Sequence, residues 1–326
     1  MHVIANRWYA ILSSFKLRSS PVAARRFGLS MVVWRSADGS VAAAVDECPH
    51  RRAKLSPGRV VDGCVECPFH GFRFDGDGAC TAIPAHPERP IPKAMALRTF
   101  TVREEHDFIW LWTGPDPTPE GPIPFFDFSG FVCTGSEMEV PVATHYTRGI
   151  ENQLDFTHLP FVHRTTIGRL VTEVMDVKTE VEGDRIVAWT ERREECIEFR
   201  GPNIWRMQTG PQWQFLAFVP VDEKTMLYYV RAYQKLVKVP GLSWTLGRFN
   251  RLLNKFIIRQ DTPVVETQPR EETRLQGMGE VLVPSDGPII AYRRWREKHR
   301  RHFGVGGEAN LVSSDRLAQS GARDAS

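Results

Sequence analysis

The residues best suited to chemistry lie in two short strings, CPHR at 48–51 and CPFHG at 67–71. Each string offers one thiolate and one imidazole from a tight loop, and sixteen residues separate the histidine of the first from the cysteine of the second. A [2Fe–2S] cluster with mixed ligation needs two cysteines on one iron and two histidines on the other. The strings therefore predict such a cluster, held by Cys48, His50, Cys67 and His70.

A structural zinc site is the alternative for the same segment, because Cys64 and Cys67 form a C-x2-C pair. Zinc fingers usually combine C-x2–4-C with H-x3–5-H, whereas here each loop supplies one cysteine and one histidine. Pro49 and Pro68 stiffen the two loops, and Gly71 allows close approach of the backbone. This pattern favours the iron–sulfur cluster and leaves Cys64 as a buried loop thiol.

A second candidate metal site follows a predicted helix. Asn152, Asp155 and His158 are three residues apart and would share one face of that helix. We expect Pro160 to end or kink the helix after His158, so that His163 turns back towards the same point. Two histidines and a carboxylate with open coordination positions are typical of non-haem Fe(II) oxygenases. The pair of histidines therefore calls for a carboxylate from elsewhere in the chain.

Asp261 is the candidate for that carboxylate. In a predicted amphipathic helix at 247–262, Leu253, Ile257 and Asp261 recur every four residues, which places the acid at the end of an apolar, core-facing stripe. A buried carboxylate needs a cation or hydrogen-bond donors, and a metal ion meets that need. The alternatives are pairing of the acid with Arg259 or Arg270 and, as the ligand itself, Glu266.

The elements that must position these residues divide the chain in two. Short strands separated by Asp-Gly turns predict an all-β first part. Five prolines between residues 115 and 124 predict a stiff linker, and mixed helix and strand patterns follow it, including a helix near 149–159. The predicted fold is α+β: an N-terminal all-β domain at 1–114, a Pro-rich linker at 115–125, a catalytic domain with an antiparallel sheet at 126–303 and a mobile tail at 304–326.

Composition sets further bounds. The 326 residues are 42% hydrophobic and 25% charged, which is typical of globular proteins and excludes a disordered or fibrous chain. A net charge of +3 gives no indication of nucleic-acid binding. No apolar run approaches the 18 or more residues of a membrane-spanning helix, and the stretch after Arg25-Arg26 is too short and interrupted for a secretion signal. We therefore predict a cytoplasmic protein with no membrane or nucleic-acid partner.

Taken together, these residues resemble the catalytic α subunit of the Rieske non-haem iron oxygenases. The two Cys/His strings match the cluster motif of that family, and N-x2-D-x2-H-x4-H at 152–163 matches its mononuclear iron motif. The segment 260–268 resembles the carboxylate region with Asp261 in the ligand place, and 283–295 resembles the end of the shorter members. The short chain favours the monooxygenase and demethylase branch, which includes vanillate demethylase, toluenesulfonate methyl-monooxygenase and the saxitoxin-pathway hydroxylases.

The resemblance implies more than the residues themselves. It implies a Rieske domain followed by a helix-grip domain, a [2Fe–2S] cluster and a mononuclear Fe(II), and assembly as a homotrimer. It also implies that electrons come from NAD(P)H through a separate flavin reductase or a ferredoxin. Asp155 can accept the second ring N–H of His158, and the resemblance adds that it bridges to the cluster histidine His70 of a neighbouring subunit. Asp155 could otherwise be a helical acid favoured by the macrodipole.

The predicted reaction is hydroxylation or demethylation of a small aromatic or polycyclic molecule with O₂. Two alternatives stay open: cis-dihydroxylation of an arene, and a Rieske electron-transfer protein in which His158 and His163 are structural. Aromatic residues of the second domain are the candidate pocket lining, although each could equally belong to the sheet core. They are Trp205, Trp213, Phe215 and Tyr229.

Overall fold

The computed structural model describes residues 2–114, 118–133, 137–193, 196–210, 212–235, 237 and 240–300. The chain forms two compact units, one over Val3–Ile123 and one that begins at Pro124. Residues 115–117 of the predicted linker and the whole predicted tail at 304–326 lie outside the described residues.

The first unit is all-β, as predicted. Its strands form antiparallel sheets in the orders β1-β10-β9, β2-β3-β4 and β5-β6-β7-β8, and a short 3-10 helix covers Ser14–Lys16. The strands are β1 Arg7–Ser13, β2 Val22–Arg26, β3 Leu29–Arg35, β4 Val41–Val45, β5 Arg59–Val61, β6 Cys64–Glu66, β7 Arg73–Phe74, β8 Cys80–Ala82, β9 Val102–Glu105 and β10 Phe108–Thr113.

Two tryptophans centre the core of this unit. Trp34 on β3 and Trp110 on β10 are fully buried. Each indole N–H keeps a partner, because Trp34 donates to the Gly63 carbonyl at 3.2 Å and Trp110 to the Glu105 carbonyl at 2.9 Å. Gly63 has a φ of +76°, and a Cβ there would lie 2.0 Å from the Ala37 nitrogen, so this Asp-Gly turn requires glycine.

The second unit is built on an eight-stranded antiparallel sheet within the described part of the chain. The order is β11-β18-β17-β16-β15-β14-β13, and β12 also pairs with β18. The strands are β11 Val132–Cys133, β12 Met138–Val142, β13 Lys178–Glu182, β14 Arg185–Trp189, β15 Ile197–Arg200, β16 Ile204–Thr209, β17 Gln212–Asp222 and β18 Thr225–Gln234. The helices are α1 Tyr146–Leu154, α2 Leu159–Val162, α3 Pro240–Val265 and α4 Gly287–Arg300, with 3-10 turns at Ile167–Leu170 and Pro284–Asp286.

One face of this sheet, here called the inner face, packs against α1, α3 and α4. It carries Phe199, which contacts the rings of Tyr292 and Trp295 on α4 at 5.1 and 5.6 Å. It also carries Tyr228, whose hydroxyl donates to the Gly149 carbonyl of α1 at 3.3 Å. A Cβ at Gly149 would lie 2.3 Å from the Met226 sulfur, so glycine lets α1 lie close to the sheet.

The predicted pocket aromatics do not share that face. Trp205 lies on the inner face, since it pairs across the sheet with Phe199 and Leu216. Phe215 and Trp213 lie on the opposite face, where they contact Phe125 and Arg206 respectively. Strand alternation puts Tyr229 there too. The four therefore cannot line one pocket together, because residues of odd number on β17 face away from the helices; Phe215, Trp213 and Tyr229 belong to the other face of the sheet.

The helix predicted near 149–159 was also wrong in its extent. Helix α1 ends at Leu154, and Asp155 has extended backbone with φ −92° and ψ 119°. The Asp155 carboxylate accepts hydrogen bonds from the Thr157 backbone N–H at 2.7 Å and hydroxyl at 2.6 Å. Such a local turn competes with helical hydrogen bonding and ends the helix. Asn152, Asp155 and His158 therefore share no helix face, and Pro160 lies in the first turn of α2, where its missing N–H costs nothing.

Helix α3 is longer than the predicted 247–262 and turns differently. Its buried side chains include Asn250, Ile258, Asp261 and Val265, whereas Leu253 is 42% exposed. The four-residue stripe through Leu253 and Ile257 was thus the wrong register, although Asp261 lies on the buried face in either one. None of the described helices, α3 included, has the length and apolar character needed to cross a bilayer.

Candidate metal and cluster sites

The two Cys/His loops of the first unit have the same backbone plan. The Cys48 carbonyl accepts from the Arg52 N–H at 2.9 Å, and the Cys67 carbonyl accepts from the Gly71 N–H at 3.0 Å. The residue four positions after each cysteine is left-handed, with φ +60° at Arg52 and +71° at Gly71. Each loop therefore makes a tight turn between its cysteine and the residue four positions later, with its histidine inside the turn.

The side chains of these loops fit an iron–sulfur cluster. Cys48 and Cys67 are buried, and burial together with the neighbouring Cys67 raises the pKa of the Cys48 thiol to about 11. Two adjacent buried thiolates need cationic iron to be stable. The His50 and His70 rings are exposed and lie with their centroids 4.8 Å apart, and Phe72 stacks on His50. Buried sulfur and exposed imidazole suit one iron held inside and one near the surface.

Cys64 is not part of this cluster of side chains. It lies on β6, partly exposed, where its sulfur accepts from the Thr81 hydroxyl at 3.6 Å. The prediction of a buried loop thiol was wrong, because the chain pairs as a strand before it reaches Cys67. Cys64 therefore gives no support to a zinc site.

The second constellation converges on one point. His158, His163 and Asp261 each offer a ligand atom, and the three atoms lie within 4.8 Å of one another. Asp261 Oδ1 lies 2.9 Å from His163 Nε2 and 3.6 Å from His158 Nε2. Asp261 is only 4% and His163 1% exposed, yet Asp261 Oδ1 has no well-aligned hydrogen bond among the described residues. Two imidazole nitrogens and a carboxylate oxygen so close together could hold a metal ion.

The second ring nitrogen of His158 faces Asp155. Its Nδ1 lies 3.7 Å from Asp155 Oδ2, while Asp155 Oδ1 is held by Thr157. Burial alone would raise the pKa of Asp155, but the neighbouring His158 and the Thr157 hydrogen bonds outweigh it and lower that pKa. The carboxylate is thus kept ionised behind an imidazole that faces the triad.

The second ring nitrogen of His163 faces a residue that the sequence did not single out. Gln260 Oε1 lies 3.0 Å from His163 Nδ1 and accepts from the Thr166 hydroxyl at 2.7 Å, and Gln260 Nε2 donates to Thr165 at 3.0 Å. This amide fixes which nitrogen of His163 points at Asp261. In the sequence, the feature that could have singled out Gln260 is its position next to Asp261.

The remaining predicted residues lie near this centre or away from it. Asn152 lies on α1, and its buried side-chain N–H group has no hydrogen-bond partner in the part of the chain described. Glu266, the reserve ligand, is engaged by the Ala143 backbone N–H at 2.9 Å. Arg259 and Arg270 are exposed, so neither is buried beside Asp261. Tyr228, not predicted, is fully buried, and burial and the Asp261 charge raise its pKa.

Comparison with known proteins gives two family matches. Residues 7–101 match the model of the Rieske [2Fe-2S] domain, and residues 142–199 and 198–302 match that of the vanillate O-demethylase oxygenase C-terminal domain. The chain is 32% identical over 182 residues to aminopyrrolnitrin oxygenase PrnD of Pseudomonas fluorescens and 33% identical over 204 residues to a vanillate O-demethylase oxygenase subunit of Pseudomonas sp. (strain ATCC 19151). These regions cover 53% and 58% of this chain but only 50% and 59% of those proteins.

A solved structure of dicamba monooxygenase bound to 3,6-dichlorosalicylic acid is similar over nearly the whole length. The match covers 93% of this chain and 99% of that one, with a TM-score of 0.77. The sequence identity is 22%, so the likeness is one of fold.

Proposed function

Because the chain belongs to the Rieske oxygenases, as its two domain matches show, we propose that it is the terminal oxygenase of a multi-component system. It uses O₂ and electrons from NAD(P)H to hydroxylate or demethylate a small aromatic or polycyclic molecule. The demethylase assignment is supported by the similarity to vanillate O-demethylase and by the second domain match. The chain spans about half the length of the curated relatives it matches, so its activity is inferred from the sites themselves.

The proposed cluster ligands are Cys48, Cys67, His50 and His70, and the proposed ligands of the mononuclear iron are His158, His163 and Asp261. The cofactors of this family, a Rieske cluster and a mononuclear iron, supply one-electron transfer and O₂ chemistry when bound. The carrying observation is the convergence of two histidines and a remote, buried carboxylate within 4.8 Å. An electron-transfer protein without a second iron has no need of that arrangement.

The residues around the triad orient its ligands. Gln260 and Asp155 face the Nδ1 atoms of His163 and His158, which directs both Nε2 atoms to Asp261. The hydrogen bond to Gln260 fixes the tautomer and the ring plane of His163, whereas Asp155, at 3.7 Å from His158 Nδ1, acts on that ring through its charge. The buried surroundings of Asp261 limit the access of water, and Asn152 offers a free N–H group near the end of α1.

The proposal includes partners. A separate flavin reductase or ferredoxin delivers electrons, in keeping with the relatives, which are named as oxygenase subunits or components. The protein is proposed to be a homotrimer in which Asp155 connects His158 to His70 of a neighbouring subunit. The cytoplasmic location stays a prediction from the sequence.

The metal assignment is tested by substitution. His163→Ala and Asp261→Ala are each expected to remove about one iron per chain and to abolish oxygenation while the Rieske EPR signal persists. Cys48→Ser is expected to remove that signal. His86→Ala, an exposed histidine of the first unit, is the matched control and should change neither. Full iron content and turnover in Asp261→Ala would contradict the triad.

The reaction is tested by product analysis under ¹⁸O₂. A panel of methoxyarenes, methylarenes and unsubstituted arenes is incubated with the protein and a reductase. Formaldehyde with a phenol, or an ¹⁸O-labelled alcohol, supports demethylation or hydroxylation. A cis-diol carrying two ¹⁸O atoms would establish the dioxygenase alternative instead.

A further inference from the structure

Helix α3 carries large apolar residues on the side opposite its buried residues. Ile258, Asp261 and Val265 are buried on the inner side of this helix. The spacing i, i+3, i+4, i+7 from residue 249 places four other residues together on the outer side. These four, here called the outer stripe, are Phe249, Leu252, Leu253 and Phe256, which are 64%, 69%, 42% and 53% exposed. Adjacent apolar side chains that are so exposed mark a surface that contacts another molecule or a membrane.

A line of basic residues runs beside the outer stripe. Its members, here called the basic line, recur every three or four residues and are all exposed: Arg248, Arg251, Lys255 and Arg259. The first three directly precede a residue of the outer stripe, which places the line about 100° around the helix from the stripe. Residues 240–260 contain no Asp or Glu. Their formal charge of +4 exceeds the +3 of the whole chain, so positive charge is concentrated on this helix.

Three members of the basic line have no acidic partner within the described residues. Arg251, Lys255 and Arg259 form no ion pair with any residue that the structure describes. Their charged ends are therefore available to an anion, while their hydrocarbon stems extend the apolar surface of the helix. The outer side of α3 thus offers an apolar stripe and a positive line to the same partner.

An anionic bilayer is complementary to both features. A helix that lies in the plane of such a surface buries its apolar face about 5–10 Å into the boundary between headgroups and acyl chains, and its basic side chains stay near the phosphates. The rotation of about 100° between stripe and line suits this layering. Negative surface potential attracts each basic residue in addition.

Two other occupants fit less well. A second copy of the chain, docked stripe to stripe, would bring two basic lines of four charges each close together, and like charges repel. The core of a protein–protein interface is usually depleted of charged residues, and of lysine in particular. The charge of α3 therefore favours an anionic membrane surface over a protein.

We propose that the outer side of α3 is a docking surface for an anionic phospholipid bilayer. The outer stripe enters the boundary below the headgroups, and the basic line pairs with the headgroup phosphates. The sequence-based expectation of no membrane partner rested on the lack of a spanning segment, and a helix that lies on the surface needs none. The docking is independent of the proposed reaction, because none of these eight residues is a proposed ligand of either metal centre.

The test is cosedimentation of the metal-loaded protein with lipid vesicles. One set of vesicles contains equal parts of phosphatidylglycerol and phosphatidylcholine, and the other contains phosphatidylcholine alone. The wild type is expected to bind the anionic vesicles about 100-fold more tightly than the neutral ones. High salt should weaken binding to the anionic vesicles, because it screens the attraction between the basic line and the phosphates.

Two double variants separate the contributions of stripe and line. Phe249→Gln with Phe256→Gln should lower the partition coefficient on anionic vesicles about tenfold or more, because two aromatic rings no longer leave water. Arg251→Gln with Lys255→Gln should lower it about 25-fold, since each basic residue near such a surface contributes about fivefold. All four side chains are exposed, so these variants should fold.

The matched controls change the same kinds of residue elsewhere. Val174→Gln with Val281→Gln replaces two valines that are 91% and 89% exposed. Arg89→Gln with Lys93→Gln removes two exposed basic residues of the first unit. Both controls should bind vesicles like the wild type, and iron content and the Rieske signal confirm that every variant is folded.

The outcomes distinguish the possible occupants. A wild type that does not bind anionic vesicles would overturn the proposal in favour of a protein partner. Equal binding to neutral vesicles, or wild-type binding by either α3 variant, would also overturn it. Sedimentation velocity tests the second copy: a smaller oligomer in the Phe249/Phe256 variant than in the wild type would assign the stripe to contact between copies. Iron content and product analysis test the proposed function separately, so a failure of docking leaves that proposal standing.

Discussion

Gln260 is the residue through which the proposed triad can be tested without changing any of its three residues. Its amide oxygen faces His163 Nδ1 at 3.0 Å and is itself held by Thr166, and its amide N–H is held by Thr165. Gln260→Met keeps the length of the side chain and removes all of these hydrogen bonds. His163 then loses the partner that fixes its ring plane and its tautomer, while Asp261 and His158 keep their places.

The expected loss follows from what the amide does. Removal of an outer partner of a metal-bound histidine typically costs about 10- to 100-fold in metal affinity, which corresponds to about 1.4–2.8 kcal/mol. Gln260 is the only partner of His163 Nδ1 among the contacts of the described residues, so the upper part of this range is expected. The Rieske cluster is built from other loops, and its spectrum should not change.

The assay is titration of apoprotein with Fe(II) or Co(II) against a competing chelator, without O₂. Gln268→Met, with an exposed side chain shortly after α3, is the matched control and should bind metal like the wild type. A Gln260→Met variant with unchanged metal affinity would show that His163 needs no orienting partner, and the role assigned to the amide would be wrong.

Three further predictions concern charged residues. Asp155→Asn should keep both metals but slow reoxidation of the cluster in a single turnover by about 10- to 100-fold, because the group behind His158 loses its charge; unchanged rates would refute this. Glu151→Gln should lower the free energy of unfolding by about 3 kcal/mol in urea titrations, because Arg293 donates to both oxygens of this buried acid at 2.7 and 2.8 Å; a loss below about 1 kcal/mol would contradict it. The pKa of Glu198 is lowered, because the charge of Arg206 and other guanidinium groups outweighs burial. The stabilisation that ionised Glu198 contributes is therefore fully present above the unfolded pKa of about 4.3 and is lost as the pH falls through the folded pKa. Glu198→Gln should thus lower the free energy of unfolding at neutral pH and make that free energy depend less on pH in acid. A midpoint of acid unfolding equal to that of the wild type would count against this.

The sequence was most informative where the proposed ligands are close together in the chain. Cys48 and His50, or Cys67 and His70, are fixed by loops so short that spacing alone determines which side chains can meet. The same holds for His158 and His163. Asp261 could be predicted as a site residue because an acid on the buried side of a helix is rare without a partner. Asp261 lies on the buried side of α3 even though the predicted stripe through Leu253 and Ile257 had the wrong register.

The sequence was least informative where a side chain competes with the backbone. Asp155 ends α1 by bonding to Thr157, and spacing by three residues could not distinguish this turn from a continuing helix. Gln260 and Tyr228 act through contacts with residues about 80 to 100 positions away, and no local pattern marks such residues. The face of the sheet on which an aromatic side chain lies depends on register, which is set by pairing with distant strands.

Helix α3 links two levels of the proposed site, because one rigid element carries Asp261 and its neighbour Gln260. Asp261 Oδ1 lies 2.9 Å from His163 Nε2, and Gln260 Oε1 lies 3.0 Å from His163 Nδ1, so consecutive residues of α3 contact both nitrogens of one ring. The orientation of that ring is therefore set by the backbone hydrogen bonds that hold the helix together, and it changes little with motion of loops.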